Sequence, residues 1–222
     1  ITGPAFTLTS SGRYLLSQRR MENVVVALDH LELAKLPALA ALAAEEGTLR
    51  LPTIPGLVGQ AAVRVTATGD FAAPAVSLDL TGAKLAIQGI PLPNIDGQFS
   101  AAKELDGYVY RIRNFIARGG NGEGEAQLTG VMSRHGIVDL RFTATDITPR
   151  AVSAWTGTLP MDGRATASGA IRGAWQQPDI TADVAIDQPR VAGYTLRKVA
   201  GSLALADGKV TLRNGQAWLT TD

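Results

Sequence analysis

The sequence has no cysteine, only two histidines and almost equal numbers of acidic and basic residues. Without cysteine the chain can form neither a disulfide framework nor a thiolate metal site. His30 and His135 lack nearby partners for a zinc site or a catalytic triad, so we interpret both as surface or turn residues. The formal net charge of +1 argues against nucleic acid as an obligatory partner, because nucleic-acid-binding proteins normally carry a basic face.

Long hydrophobic runs are also missing. The longest, residues 36–44, has nine residues and contains Pro37, whereas a membrane-spanning helix needs about 20. Ile1 is not an initiator methionine and no signal peptide begins the chain, so we expect it to be a fragment of a longer protein.

Motifs that would indicate an enzyme or a cofactor do not emerge. The glycine cluster at residues 119–124 fits neither a dinucleotide-binding loop nor a phosphate-binding loop, and Gly124 stands where a calcium-binding nonapeptide needs aspartate. We therefore predict a loop there. Asp79, Asp139 and Asp183 fall on the polar side of alternating patterns, which is typical of a solvated strand face. We expect no catalytic residue, cofactor or metal.

An internal repeat is the most informative feature that is present. Residues 59–97 recur 104 residues later, and a fixed period of this kind indicates a repeated architecture. The matching pairs include Gly59/Gly163, Gly69/Gly173, Pro74/Pro178, Gly89/Gly193 and Gly97/Gly201. We predict one elongated repeat domain over residues 1–222, with units at about 59–162 and 163–222, the second incomplete, and the end of a preceding unit at 1–58.

Most segments alternate apolar and polar residues, which predicts β-strands with one dry and one wet face. Strands are expected near residues 6–8, 14–16, 24–28, 60–68, 75–81, 83–88, 96–101, 107–113, 125–131, 138–144, 163–171, 179–186, 190–192, 196–206, 208–213 and 216–220. The turn at residues 10–12 should separate the first two. Two short helices are predicted, one over 33–46 and one over 147–155, where Thr148 and Pro149 form an N-terminal signature.

A β layer must cover its dry face, either by closing into a sandwich or by curling into a trough. Both remain possible from the pattern, and the many Ala and Val residues favour the trough. We predict an all-β, elongated, curved, groove-like and mainly antiparallel sheet. Its apolar lining should comprise Val76, Leu78, Leu80, Leu85, Ile87, Phe99, Val138, Leu140, Phe142, Ile180, Val184, Ile186, Leu203, Leu205, Val210 and Leu212.

The glycine and proline spacing resembles a known signature. Residues 162–180, and 59–76 before them, are similar to the Gly…Gly-x-x-x-x-Pro segments of the TamB/AsmA-like family, whose repeats are of the DUF490 type. The segments 31–33 and 146–149, each leading into a predicted helix, also resemble that family. The resemblance covers most of residues 24–222.

The resemblance implies the periplasmic part of an inner-membrane-anchored envelope protein. Such proteins are associated with phospholipid transport to the outer membrane and with outer-membrane protein assembly. Phospholipid acyl chains would be the ligand of the groove, and an outer-membrane barrel protein could bind regions outside this fragment. The alternative is a chaperone-like scaffold that offers sheet edges to barrel strands by β-augmentation. An enzyme acting on polysaccharide would need clustered aromatics and carboxylates, which the pattern does not place.

Overall fold

Almost all of the described chain is β-strand. The computed structural model describes residues 2–3, 6–35, 57–87, 90–91, 93–105, 107–119, 124–133, 135–148, 162–191, 194–206 and 208–219. Within these ranges the only helical elements are two 3-10 turns, Leu16–Gln18 and Leu33–Lys35. The all-β prediction is therefore confirmed.

The chain divides into two compact units, residues 1–103 and residues 104–222. In unit 1 the strands pair with one another antiparallel and in chain order, with β6 attached only to β5. They are β1 Thr2–Gly3, β2 Phe6–Leu15, β3 Arg20–Glu32, β4 Leu57–Asp70, β5 Ala75–Ile87, β6 Ile90–Pro91 and β7 Asn94–Glu104, whose last residue falls in unit 2.

Unit 2 repeats this arrangement. Its strands also pair antiparallel and in chain order. They are β8 Gly107–Arg118, β9 Glu125–Ser133, β10 Ile137–Ile147, β11 Asp162–Ala174, β12 Gln177–Val191, β13 Tyr194–Ala206 and β14 Lys209–Leu219. β13 and β14 are consecutive antiparallel strands, and Ala206 at the end of β13 pairs with Lys209 at the start of β14.

Each unit is an open sheet. Among the described strands of a unit, the first and the last do not pair with each other, and no second sheet lies opposite the first. The closed sandwich that the pattern left possible is therefore not formed by the described residues. The prediction of a mainly antiparallel, unclosed sheet is confirmed.

The 104-residue offset recurs in the pairing of the strands. Arg64 lies opposite Asp79 between β4 and β5, and Ser168 lies opposite Asp183 between β11 and β12. Likewise Leu80 is opposite Gly97, and 104 residues later Val184 is opposite Gly201. The repeat in the sequence thus specifies the same strand register twice. The boundaries of the sequence repeats, predicted at 58/59 and 162/163, differ from those of the two compact units and stay predictions.

A backbone hydrogen bond joins neighbouring hairpins in the same way in both units. The Phe71 N–H donates to the Arg19 carbonyl oxygen at 2.9 Å, and the Trp175 N–H donates to the Gly136 carbonyl oxygen at 2.8 Å. Phe71 and Trp175 are themselves 104 residues apart. Both acceptors have a positive φ, 49° at Arg19 and 74° at Gly136, so the turn that presents the carbonyl has a left-handed residue in each case.

Several predicted breaks between strands are wrong, because the chain continues through them with a bulge. The predicted turn at residues 10–12 lies inside β2, where Gly12 takes φ +146° and the register shifts between Ser11 and Arg13. β5, β12 and β14 likewise each replace two predicted strands. They continue through Lys84, Gln188 and Asn214, whose φ values are 53°, 50° and 52°. One residue in the left-handed region produces a bulge without ending the strand.

Parts of the remaining predictions fall outside the described residues. Of the helix predicted over 33–46 only the 3-10 turn Leu33–Lys35 is described, and of that over 147–155 only residues 147 and 148, with Ile147 ending β10. In the predicted loop at 119–124, residues 120–123 are not described, but the Gly119 N–H donates to the Gly124 carbonyl oxygen at 3.0 Å.

We expect Gly59→Ala and Gly163→Ala to destabilise their units by similar amounts. Both glycines have positive φ, +126° and +117°, and a Cβ at either would lie 2.7–2.8 Å from a carbonyl oxygen of the neighbouring strand. Strain and overpacking of this kind cost about 1–3 kcal/mol each. Denaturant unfolding of both variants checks the value, with Thr166→Ala, an exposed site on β11, as the control. Wild-type stability of either glycine variant would contradict the assignment.

Candidate functional site

The predicted lining residues of unit 1 lie together on one face. Val65 is directly opposite Leu78, and Leu78 is directly opposite Phe99. Residues directly opposite in an antiparallel pair share a face, as do alternate residues along a strand. Val76, Leu78, Leu80 and Phe99 therefore form part of one surface, which we call the apolar face of unit 1.

Leu85 joins the same face through a bulge. Lys84 has φ 53°, and Leu85 beyond it is 6% exposed. A Cβ at Gly82, whose position faces the apolar side, would lie 3.0 Å from Leu85 Cδ1 and 2.8 Å from Ile95 Cγ1. Leu85 thus packs over Gly82. The backbone of Ile87 pairs with Leu57 and Ile90.

In unit 2 the predicted residues also fall on a single face, the apolar face of unit 2. They occupy successive rows that cross the strands at right angles. Written with a slash between directly opposed residues of neighbouring strands, the rows are Val138/Gly173; Leu140/Ile171/Ile180/Leu205/Val210; Phe142/Gly169/Ala182/Leu203/Leu212; Ala144/Ala167/Val184/Gly201; and Ala165/Ile186/Val199. The register between β12 and β13 thus brings together residues that lie up to about 25 positions apart in sequence.

Sequence reasoning missed several members of these faces. Val63 and Val65 of β4 belong to the apolar face of unit 1 by the same alternation that identified Leu78. Alternation from Ile112 would place Phe115 on the polar face. The register shifts between the two residues, so Phe115 lies opposite Leu128 and on the same apolar face as Ile112. A period of two fails across a bulge, and Arg113-Asn114 gave no signal of one.

The apolar faces are only partly buried. Val138 and Leu140 near the middle of unit 2 are 2% and 4% exposed, whereas Leu203, Val210 and Leu212 are 37%, 72% and 64% exposed. A large share of aliphatic surface is therefore still in contact with water.

Glycines let the large side chains of the apolar face lie flat on the sheet. A Cβ at Gly169 would be 2.8 Å from Phe142 Cζ, and one at Gly201 would be 3.0 Å from Leu212 Cδ1. Phe142 and Leu212 therefore cover the backbone of the adjacent strand. Packing of this kind shields the peptide groups of the adjacent strand.

The opposite face is polar and carries exposed charges. Asp79, Asp139 and Asp183 lie there and are exposed, as predicted. Arg172 Nε donates to Asp139 Oδ1 at 3.3 Å, and Ser202 Oγ donates to Asp183 Oδ1 at 2.7 Å. Exposed contacts of this kind contribute little to stability.

One carboxylate on β9 has a perturbed acidity. Hydrogen bonds from Gln127 Nε2 and then from Arg118 Nε, at 2.5 and 2.8 Å, hold the pKa of the Glu125 carboxyl below its usual value. Glu125 and Arg118 are directly opposite across β8 and β9, so this ion pair links the two strands at one end of the hairpin. It indicates a structural contact between the two strands.

A depression of about 460 Å³ lies in unit 2 between two polar rows. Its walls include Thr143, Thr166, Ser168, Asp183 and Ser202, which are on the polar face. Ala144, Ala167, Val184 and Gly201, which form one row of the apolar face, lie between these polar positions on the same strands and line the depression as well.

The structure places both histidines at exposed positions of the chain. His30 lies inside β3 and not after it, at a bulge with φ 56°, and His135 lies in the β9–β10 turn. Within the described ranges no three His, Cys, Asp or Glu side chains are grouped as metal ligands would be. Among the same residues no helix is long and apolar enough to cross a membrane.

Comparison with protein-family models, with curated proteins and with solved structures found no match to this chain.

We expect truncations on the apolar face of unit 2 to cost very different amounts according to depth. Leu140→Ala, at a buried position, should lower the free energy of unfolding by about 2–5 kcal/mol, whereas Leu212→Ala, at an exposed one, should cost less than about 1 kcal/mol. Urea unfolding of both variants measures the difference. Equal large losses would mean that Leu212 is also covered, and would contradict the partly open face.

Proposed function

We propose that the apolar faces of the two units bind lipid acyl chains, and that the protein shields these chains from water during phospholipid transport between membranes. The observation that carries the proposal is the pair of partly exposed aliphatic faces, each on an open sheet with a polar reverse side. Exposed apolar surface of this extent is uncommon on soluble proteins unless it binds something.

Acyl chains fit this surface by their chemistry. Each methylene that leaves water contributes about 0.8 kcal/mol, so a chain that lies across several aliphatic rows gains enough to bind without a polar headgroup pocket. Successive rows such as those of Leu140 and Phe142 offer similar surroundings. A chain can therefore move from one row to the next with small changes in free energy, which suits transport better than storage.

The cellular setting follows from the sequence resemblance alone. The glycine and proline spacing similar to the TamB/AsmA-like family supports a periplasmic position in an inner-membrane-anchored protein of outer-membrane biogenesis. An outer-membrane barrel partner would bind through regions outside this chain. No enzymatic activity, cofactor or nucleic-acid partner is part of the proposal.

The second candidate is a scaffold that binds unfolded barrel strands by β-augmentation. The observation that favours it is β14, whose eleven residues are all exposed and which is the last strand in the pairing order of unit 2. An added strand would use the main-chain groups of this edge, whereas acyl chains would use the apolar face. The two candidates therefore predict different sensitive residues.

We expect Leu78→Glu and Val184→Glu to lose most of the phospholipid that co-purifies with the wild-type protein, because a carboxylate on the apolar face makes contact with hydrocarbon unfavourable. Mass spectrometry of extracted lipid measures the loss. The matched controls are Thr81→Glu and Thr181→Glu, exposed positions on the polar face of the same strands β5 and β12.

Both controls should retain wild-type lipid. Wild-type lipid content in folded Leu78→Glu and Val184→Glu, or no phospholipid on the wild-type protein, would count against the acyl-chain proposal. In the latter case, binding of an unfolded barrel peptide that a charge on β14 abolishes would support the scaffold.

A further inference from the structure

The alternation of polar and apolar residues stops at one end of unit 2. This end, which we call the turn end, is where β8, β10 and β12 start and β9 and β11 finish, and each of these five strands has a paired strand on both sides. Tyr108-Val109-Tyr110 in β8 and Ile137-Val138 in β10 are unbroken apolar runs. Since consecutive residues of a strand point to opposite faces, both faces of the sheet carry apolar residues here.

On the otherwise polar face, the row nearest the turn end is mostly apolar. Val109 lies opposite Ser133, whose hydroxyl accepts a hydrogen bond from the Ile137 N–H at 3.2 Å. Ile137 in turn lies opposite Ala174 and is 52% exposed. This apolar row is on the reverse of the apolar face of unit 2, so acyl chains bound to that face would not cover it.

The segments between the strands add two large apolar side chains at the same end. Leu105, between β7 and β8, is fully exposed, and Trp175, between β11 and β12, is 60% exposed. On the apolar face next to them the rings of Tyr108 and Tyr110 stack, with centroids 6.5 Å apart. Tryptophan and tyrosine are concentrated in proteins where the hydrocarbon of a bilayer meets its headgroups.

Charged residues of both signs form the next row of the polar face, Arg111/Val131/Asp139/Arg172/Asp179. Residues two apart along a strand are separated by about 7 Å, so the charges begin about that far behind the apolar row. Amphipathic segments that lie on a bilayer bury their apolar side by about 5–10 Å. The charged row thus falls at headgroup depth, where a zwitterionic lipid carries one positive and one negative charge.

We propose that the turn end of unit 2 binds the surface of a zwitterionic phospholipid bilayer. Leu105, Ile137 and Trp175 enter the boundary between headgroups and acyl chains, while the row of Arg111 and Arg172 stays among the headgroups. This contact is distinct from the acyl-chain binding proposed above, which extends to rows farther along the strands. Taken with that function, it holds the apolar face of unit 2 beside a membrane with which lipid can be exchanged.

Trp175 provides a probe of this contact. The chain has three tryptophans, so the variant Trp155→Phe/Trp218→Phe retains Trp175 alone. Addition of phosphatidylcholine vesicles should shift its fluorescence to shorter wavelength. Lipid brominated near the headgroup end of the acyl chains should quench the fluorescence more than lipid brominated near the chain ends. An unchanged spectrum at high lipid concentration, or equal quenching by both lipids, would overturn the proposal.

Charge substitutions test which side chains insert. Leu105→Glu and Ile137→Glu should each weaken partition into phosphatidylcholine vesicles by about tenfold, because each puts a carboxylate in place of an inserted apolar side chain. The matched control is Tyr194→Glu, which changes an exposed aromatic residue at the opposite end of the strands and should bind vesicles like the wild type. Vesicle flotation measures all three variants.

Val184→Glu distinguishes this contact from acyl-chain binding. Val184 lies on the apolar face in the middle of β12, so the variant should lose co-purified phospholipid and still bind vesicles like the wild type. Loss of vesicle binding in folded Val184→Glu, or wild-type binding by Leu105→Glu and Ile137→Glu, would overturn the proposal. Self-association of the wild type that the turn-end variants abolish, in place of vesicle binding, would also overturn it, since a second copy would then be the partner.

Discussion

A β-sheet one layer thick has two faces, and side chains alternate between them along each strand. The alternation of polar and apolar residues therefore decides which face is well solvated and which is apolar. In both units one face carries aspartates, threonines and arginines, and the other carries aliphatic rows. Since the described residues supply no second sheet, most of the aliphatic face is covered only by its own side chains lying sideways. Among the described residues few apolar side chains are accordingly buried, with Val138, Leu140 and Leu85 among them. Everything proposed about function depends on this imbalance between apolar surface and available cover.

The backbone N–H and C=O groups of the sheet are paired between neighbouring strands, which approach each other closely. Large side chains such as Phe142 and Leu212 lie across glycines of the next strand, and hydrogen bonds from Phe71 and Trp175 tie the hairpin turns together. The two hydrogen bonds recur with the sequence repeat, one in each unit, whereas the glycine contacts of Phe142 and Leu212 both lie in unit 2. Stability therefore comes from the hydrogen-bonded ladders and from side chains packed along the plane of the sheet.

How far the sequence predicts this structure depends on the kind of signal. Alternation predicted the strands, their polar and apolar faces and the positions of Leu78, Val184 and Leu203, because a period of two survives in any register. The 104-residue offset predicted a repeated architecture, and the same offset recurs in the strand pairing at Asp79 and Asp183. Bulges at Lys84, Gln188 and Asn214 were not predictable, because a left-handed residue inside a strand has no distinct sequence pattern when it is not glycine. Phe115 was missed because the register shifts between Ile112 and Phe115. The strands around Gly12 were wrongly divided because a glycine after two serines indicates a turn as readily as a bulge.

The central claim is that the apolar face is open to water in the lipid-free protein and closed by acyl chains when lipid binds. A single cysteine in place of Leu203, carrying a nitroxide label, tests it through collision rates with a water-soluble paramagnetic reagent. The same label in place of Ser202 reports on the polar face of the same strand. The account predicts that the label at 203 is accessible without lipid and becomes protected on addition of phospholipid, while the label at 202 stays accessible. Protection at 203 before lipid is added, or no change on its addition, would contradict it.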